Sequence, residues 1–298
     1  MRNQFIRRGV GVAILFMIFY VMLLIIKPFI DTNSYQYTPA FSISSEDFPN
    51  WLLEKSYLKN QAESISEKIF KSEVERQAKA FSEVYFLEQP IKKRKTIKQI
   101  ALTFDDSPDD WYCPQVLRIL EKYKIKATFF LIGNRIKTYK HNALAIQNAG
   151  HLIGNHSFAH DKLTQITTEQ MMEDLKLSED VFVQELGIKP LLFRPPYGMI
   201  SDEQIIELGV RGYKIINWSI DTYDWDIKRN SPLELFMRIE KYAHNGGIVL
   251  LHSSGKNREN TILALPLIIK SLKKRGYHFI TLDKMLGLKP FISHDKPN

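Results

Sequence analysis

The 298-residue chain contains a single cysteine. Cys113 has no intrachain disulfide partner and no second thiolate with which to hold a metal, so a metal centre here must draw on nitrogen and oxygen ligands. No internal repeat is visible. A surplus of acid is also missing: 41 Lys and Arg against 33 Asp and Glu leave a formal charge of +8 and a pI near 9.3. That balance attracts phospholipid, nucleic acid or an acidic cell-wall polymer without choosing among them. The hydrophobic share of 44% excludes the low-hydrophobicity signature of disorder and suits one sizeable domain with accessories.

One long uncharged run stands out near the N-terminus. Val10 to Ile26, VGVAILFMIFYVMLLII, covers 17 residues without a charge. At about 1.5 Å per residue it reaches roughly 25 Å, and adding Gly9, Phe29 and Ile30 brings it to the ~30 Å hydrocarbon core. Arg2, Arg7 and Arg8 precede it and only Lys27 follows closely, which orients the N-terminus inward and everything after residue 30 outward. A cleaved signal peptide would have a shorter apolar region ending in small residues, whereas Lys27, Pro28 and Phe29 follow here. The expectation is a cytoplasmic N-terminus and signal anchor over 1–30, single-pass in the cell membrane, with the rest extracytoplasmic.

Residues 31–96 are expected to form a linker and helical stalk. Asp31 to Ser45 is rich in Ser, Thr, Tyr and Pro with no sustained period. Between Trp51 and Phe86, Leu58, Ala62, Ile65 and Ile69 step by 4, 3 and 4, the spacing of one helical face. That helix either stands as a stalk or packs on the main domain. The basic run Lys92 to Lys95 reads as solvated linker, and no nucleic-acid partner is expected.

Beyond Ile97 short apolar strands alternate with amphipathic helices. Strands are expected at 100–104, 127–132, 151–155, 191–194, 214–220, 248–252 and 277–282. A helix over 114–123 puts Val116, Leu117, Leu120 and Tyr123 on one face. Others run to Gly150, from near Thr167 to Gly187, from capping boxes at Ser201/Gln204 and Ser231/Glu234, and from about Leu263 to Arg275. This α/β pattern predicts a parallel sheet, open or closed into a barrel, over 97–288, followed by a tail over 289–298.

Reactive groups in such folds collect where strands end and loops leave the sheet. Asp105 and Asp106 end the first strand, His156 and His160 the third, Arg194 the fourth, Asp221, Asp224 and Trp225 the fifth, and His252 the sixth. His156 and His160 have i, i+4 spacing, which on a helical turn directs both imidazoles to one side. One added carboxylate makes a two-His, one-carboxylate site with positions open to water and substrate. Zn2+ suits this donor set, with Co2+, Mn2+ or Ni2+ as substitutes. A bound cation offsets one member of the Asp105-Asp106 pair and leaves its neighbour as a base, since adjacent side chains on an extended chain point in different directions. Ser107, Asp109 and Asp110 read as an Asx turn without chemistry.

TFDD (103–106), IKATFFLIG (125–133), GHLIGNHSFAH (150–160), FRPPYG (193–198), NWSIDTYDW (217–225) and IVLLH (248–252) together resemble, in order, the signature motifs of the polysaccharide deacetylases, carbohydrate esterase family 4. The resemblance covers about residues 97–286. It implies a distorted (β/α)7 barrel and metal-dependent removal of acetyl groups from acetylated sugars. It further implies Asp106, His156 and His160 as metal ligands, Asp105 as general base oriented by Arg194, and the Tyr197 backbone N–H as oxyanion donor. His252 would be the general acid, tuned by Asp224 in preference to Asp221. Trp225 would wall the acetyl pocket, with Pro196 and Tyr197 also contacting substrate.

Two positions depart from that pattern. Ser107 stands where the family usually has Gly, which costs strain if the position needs a positive φ. The loop after His252, Ser253-Ser254-Gly255-Lys256-Asn257-Arg258, lacks the acidic residue common after that histidine in many members. The expected substrate is an acetylated cell-surface N-acetylhexosamine polymer, peptidoglycan favoured; chitin oligosaccharide, exopolysaccharide or xylan are alternatives. A catalytically silent carbohydrate-binding relative is the reading from another class.

Overall fold

Ile100, Ala101, Leu102, Thr103 and Phe104 are all fully buried. Both faces of their strand are therefore covered, the condition that parallel sheets require. The computed structural model describes residues 65–85 and 97–293, and within these the strands are β1 (Val84–Tyr85), β2 (Lys98–Ser107), β3 (Thr128–Leu131), β4 (Leu152–Asn155), β5 (Ile188–Pro190), β6 (Leu192–Phe193), β7 (Lys214–Ile216), β8 (Ile220–Asp221), β9 (Gly247–His252), β10 (Tyr277–Phe279) and β11 (Phe291–Ser293). The main sheet runs β1-β7-β6-β4-β3-β2-β9-β8, with β10 beside the start of β2. Its pairings are parallel throughout. The helices are α1 (Ile65–Ala80), α2 (Cys113–Lys122), α3 (Gly133–Thr138), α4 (Lys140–Asn148), α5 (Thr168–Leu186), α6 (Asp202–Val210), α7 (Pro232–Tyr242), α8 (Glu259–Lys274) and α9 (Leu282–Leu286). The expected distorted barrel is thus present in its coarser form, a curled half-barrel of parallel strands with helices.

Alternation along β2 sorts the core into two layers. Ile100, Leu102 and Phe104 pack with Val116 and Leu120 of α2, Ile239 of α7 and Ile268 of α8. Ala101 belongs instead to a cluster with Phe130, Leu152, Leu192, Ile216 and Ile248, one each from β3, β4, β6, β7 and β9. Thr103 and Asp105 share the parity of Ala101, so the sheet carries Asp105 to the same side as this second layer. Full burial of a side chain such as Leu102 stabilises the fold by about 1.5–3 kcal/mol.

Helix starts follow the local chemistry. Thr167, Ser201 and Ser231 each accept from the backbone N–H three residues on, while Gln170, Gln204 and Glu234 reach back to complete capping boxes. Gly187 ends α5 in the left-handed conformation at φ 68.

Several expectations are revised. The run 214–220 is two strands, not one: β7 pairs β6, and β8 pairs β9 on the far side of the sheet. Between them Asn217 N–H donates to Tyr85 O at 3.1 Å and Ser219 N–H to Ile248 O at 3.1 Å. The chain therefore passes from one end of the sheet to the other, a change that a continuous apolar run does not display. The expected strand 277–282 stops at Phe279, because Thr281 is extended at the N-cap and Leu282 opens α9. The helical face through Ile69 is not the packed one: Ile69 is 62% exposed, whereas Val74 and Gln77 are buried. Of the stalk and the packed helix, the described part of the segment is packed, through Gln77 Nε2 to Ile200 O at 2.9 Å, Arg76 to Asp202, and Phe70 stacked on Trp218 with centroids 5.1 Å apart. β1 also joins the sheet ahead of the expected boundary at 97. Phe291–Ser293, expected as tail, pairs antiparallel with β5.

The expected anchor at 10–26, the linker at 31–45, Leu58, Ala62 and the basic run at 92–95 lie outside the described residues. Among the described residues no helix is long and apolar enough to cross a membrane.

Candidate active site

The rim of the sheet gathers the charged residues. Asp105 is buried at the end of β2 and its Oδ1 accepts a 2.8 Å hydrogen bond from Arg194 Nη1. Arg194, fully buried just after β6, also donates from Nη1 to Thr103 Oγ1 at 2.8 Å and from Nε to Ile216 O at 3.0 Å. Its guanidinium lies 4.1 Å from the centroid of the Phe130 ring. Burial pulls the Arg194 pKa down and the Asp105 charge opposes it. A buried arginine is retained only where such partners satisfy it, and here they set the guanidinium against a single carboxylate oxygen.

Asp106 turns the other way because the chain kinks. Its φ is 70, and the pairing of β2 with β3 shifts register between Phe104 and Ser107. The two aspartates diverge through this left-handed residue rather than through plain strand alternation. Asp106 Oδ1 is buried without a hydrogen bond, facing His160 Nε2 at 3.3 Å and His156 Nε2 at 3.7 Å. One donor atom from each of Asp106, His156 and His160 lies within 4.8 Å of the others. An orphaned buried carboxylate oxygen beside two imidazole nitrogens fits a divalent cation. Burial pushes the Asp106 carboxyl up, but the imidazoles of His160, His252 and His156 outweigh it and hold it well below the usual range. Burial pulls the His156 pKa down against the attraction of Asp105 and Asp106, which favours the neutral ring that metal binding needs. His156 Nδ1 lies 2.8 Å from Arg194 O. Because a carbonyl only accepts, Nδ1 carries the proton and Nε2 presents its lone pair to the cluster.

The His156-to-His160 segment is not the expected helical turn. It is a loop in which Ser157 and His160 have φ of 66 and 64, and it depends on a residue that the sequence reading missed. Asp174 of α5 accepts from Phe158 N–H at 2.7 Å and Ala159 N–H at 2.8 Å, while Ser157 Oγ accepts from His160 N–H at 2.9 Å. Tyr197, with φ 60 and 53% exposed, sets its ring 5.0 Å from that of His160. Its neighbour Pro196 is buried.

Across the rim His252 meets Asp224. Nδ1 of His252 donates to Asp224 Oδ1 at 2.7 Å, and its backbone N–H donates to Oδ2 at 2.7 Å. Thr261 Oγ1 donates to the same Oδ2 at 2.9 Å. Burial opposes the His252 charge, but the Asp224 carboxylate overcomes it and pushes the pKa up to about 9. Asp221, the alternative partner, faces elsewhere: it accepts from Tyr223 N–H at 2.8 Å and from the Trp225 indole at 3.3 Å, and burial raises it to about 6. Trp225 is 45% exposed and edge-on to Tyr223.

The family model described as polysaccharide deacetylase matches residues 92–216. A peptidoglycan-N-acetylglucosamine deacetylase of Bacillus cereus is 40% identical over 195 residues, 64% of this chain and 90% of the relative. A peptidoglycan-N-acetylmuramic acid deacetylase of Bacillus subtilis is 34% identical, with 63% and 72% covered. The crystal structure of the Bc1960 peptidoglycan N-acetylglucosamine deacetylase superposes with a TM-score of 0.66 at 30% identity, covering 72% of this chain and 97% of that one. The chain belongs to the polysaccharide deacetylase family. It is accordingly a hydrolase of carbon–nitrogen bonds.

In this deacetylase Ser107 meets the loop after His252. Ser107 Oγ and Ser253 Oγ, both fully buried, share a hydrogen bond between β2 and the loop after His252. Ser107 carries no positive φ, which falls on Asp106 instead, so the strain expected at Ser107 is absent. Asp109 is the expected turn residue: its Oδ1 accepts from the backbone N–H of Trp111, Tyr112 and Cys113 and covers the start of α2.

Proposed function

We propose that the protein removes N-acetyl groups from peptidoglycan with the help of a divalent cation, Zn2+ favoured, held by Asp106, His156 and His160. The observation that carries this reading is the separation of tasks on one rim: Asp105 clamped by Arg194 on one side, and His252 paired with Asp224 on the other. When bound, the cation supplies Lewis acidity toward the acetyl carbonyl. Asp105 accepts a proton from water as the water oxygen bonds to the carbonyl carbon. Arg194 keeps that carboxylate oriented, and the Tyr197 N–H receives the developing oxyanion. His252, protonated because Asp224 holds its charge, gives its proton to the departing nitrogen as the C–N bond breaks. Acetate and a free amino sugar result.

Peptidoglycan is supported by the names of the relatives and by the positive balance beyond residue 30, 37 Lys and Arg against 33 Asp and Glu, which draws the enzyme toward an acidic wall. An uncleaved anchor at 10–26 would place the catalytic domain outside the cell membrane within reach of that polymer. The test is acetate release from peptidoglycan, chitin oligosaccharide, acetylated exopolysaccharide and xylan by wild type and by Asp105→Asn. Peptidoglycan should be the best substrate, and Asp105→Asn should lose about 10²- to 10⁴-fold in rate while retaining metal. Wild-type turnover of xylan alone would sink the substrate reading; full activity of Asp105→Asn would sink the base.

A further inference from the structure

The loop between His252 and α8 contains a buried arginine that the mechanism above does not use. Arg258 is 3% exposed and stands at the N-cap of α8. Its Nε donates to Ser254 O at 2.8 Å, its Nη1 donates to Asp224 O at 3.1 Å, and its Nη2 lies 3.8 Å from Asp106 Oδ2. One guanidinium therefore touches the loop that follows the proton donor, the residue that charges the donor, and the carboxylate of the metal cluster.

The two oxygens of Asp106 have separate surroundings. Oδ1 faces the imidazoles. Oδ2 faces Arg258 and the α-carbon of Gly255, where an added Cβ would come within 2.8 Å of it. Gly255 has φ +92, so only glycine sits there without strain. The wall behind Asp106 is thus bare backbone plus one guanidinium, which leaves Oδ1 as the oxygen presented to a cation.

Resting on the metal-hydrolase reading, we infer that Arg258 is a positioning residue that locks the metal-ligating carboxylate and the His252–Asp224 pair into one frame. The planar fork is essential to the task, because its nitrogens diverge toward two carbonyls and a carboxylate, whereas a lysine ammonium is a single point on a flexible stem. Groups that orient a metal ligand from behind alter metal affinity by about 10- to 100-fold when removed. Thr261 supplies the comparison, since its hydroxyl donates to Asp224 Oδ2 and not to Asp106.

The experiment uses the full-length chain in mild detergent, as wild type, Arg258→Met, Arg258→Lys and Thr261→Val. Zinc affinity is measured by competition with a chromophoric chelator, and kcat and KM are measured with an N-acetylglucosamine oligomer. Both Arg258 variants should bind zinc about tenfold or more weakly and lose kcat with little change in KM. Thr261→Val should lose kcat alone. Wild-type zinc affinity and kcat in Arg258→Met would overturn the inference, as would an equal affinity loss in Thr261→Val, which would mark general loosening of the loop. If Arg258→Met does not fold, Arg258→Lys decides by the same two readouts. Failure of wild type to bind zinc would sink the metal reading; Arg258 would then be judged by kcat, and an unchanged kcat would overturn its role.

Discussion

Asp224 sets how basic His252 is, and this makes a residue-scale prediction with a definite sign. In the proposed mechanism His252 is the general acid and must be protonated, so kcat/KM should fall as pH rises through about 9, the value to which Asp224 pushes His252. Asp224→Asn removes the carboxylate charge and leaves burial and the Arg258 charge, opposed only by Asp106, to lower the histidine pKa. The alkaline limb should move down to or below the free-histidine value of about 6.5, and activity at neutral pH should drop. Asp221→Asn, which touches Trp225 and the turn at Tyr223 instead, should leave the limb near its wild-type position. The same pair contributes to folding: its stabilisation is complete below about pH 6.5 and is lost as pH climbs through the raised folded-state pKa. A pH–rate profile of the three proteins checks the assignment. An alkaline limb that does not move in Asp224→Asn would remove Asp224 from its role.

At the scale of elements, α1 and β1 look expendable in sequence yet belong to the catalytic unit. Phe70 stacks on Trp218, the Trp218 ring centroid lies 5.8 Å from the Arg194 guanidinium, and β1 covers the edge of β7. Glu67 reaches Arg238, which in turn donates to Asp221 O at 2.7 Å. A chain starting at residue 97 should therefore melt lower and aggregate more than one starting near residue 60, because it exposes Trp218 and an unpaired strand edge. Equal thermal midpoints for the two chains would refute this. Their contribution was hard to read because the 4-3-4 pattern through Ile69 pointed to the wrong face, and a two-residue strand carries no period. Capping boxes were legible since both partners lie within four residues of chain. The rim was legible too, because five of the seven expected strands run from apolar residues straight into polar ones. The 214–220 crossing was not, as apolar residues look alike whether they stay in one sheet position or change it. Asp174 and Arg258 were hidden for a related reason: each is one charged residue whose importance comes from tertiary partners alone.

At the scale of the whole molecule the positive balance beyond residue 30, 37 Lys and Arg against 33 Asp and Glu, should govern encounter with substrate rather than the chemical step. Long-range attraction between a cationic protein and an anionic polymer is screened over a Debye length, which shrinks from about 30 Å at 0.01 M salt to about 8 Å at 0.15 M. The site itself is shielded from that screening, because Asp105, Arg194, His156 and Asp224 are buried. Raising salt over this range should therefore increase the apparent KM for intact peptidoglycan severalfold and leave kcat nearly constant. A neutral N-acetylglucosamine oligomer provides the control, since it offers no charge to attract and its KM should stay flat. Kinetics on both substrates at matched pH separate the two effects. A parallel rise of KM on the neutral oligomer would mean that salt acts on the site or the fold, and the net charge would then have no part in bringing this deacetylase to the wall.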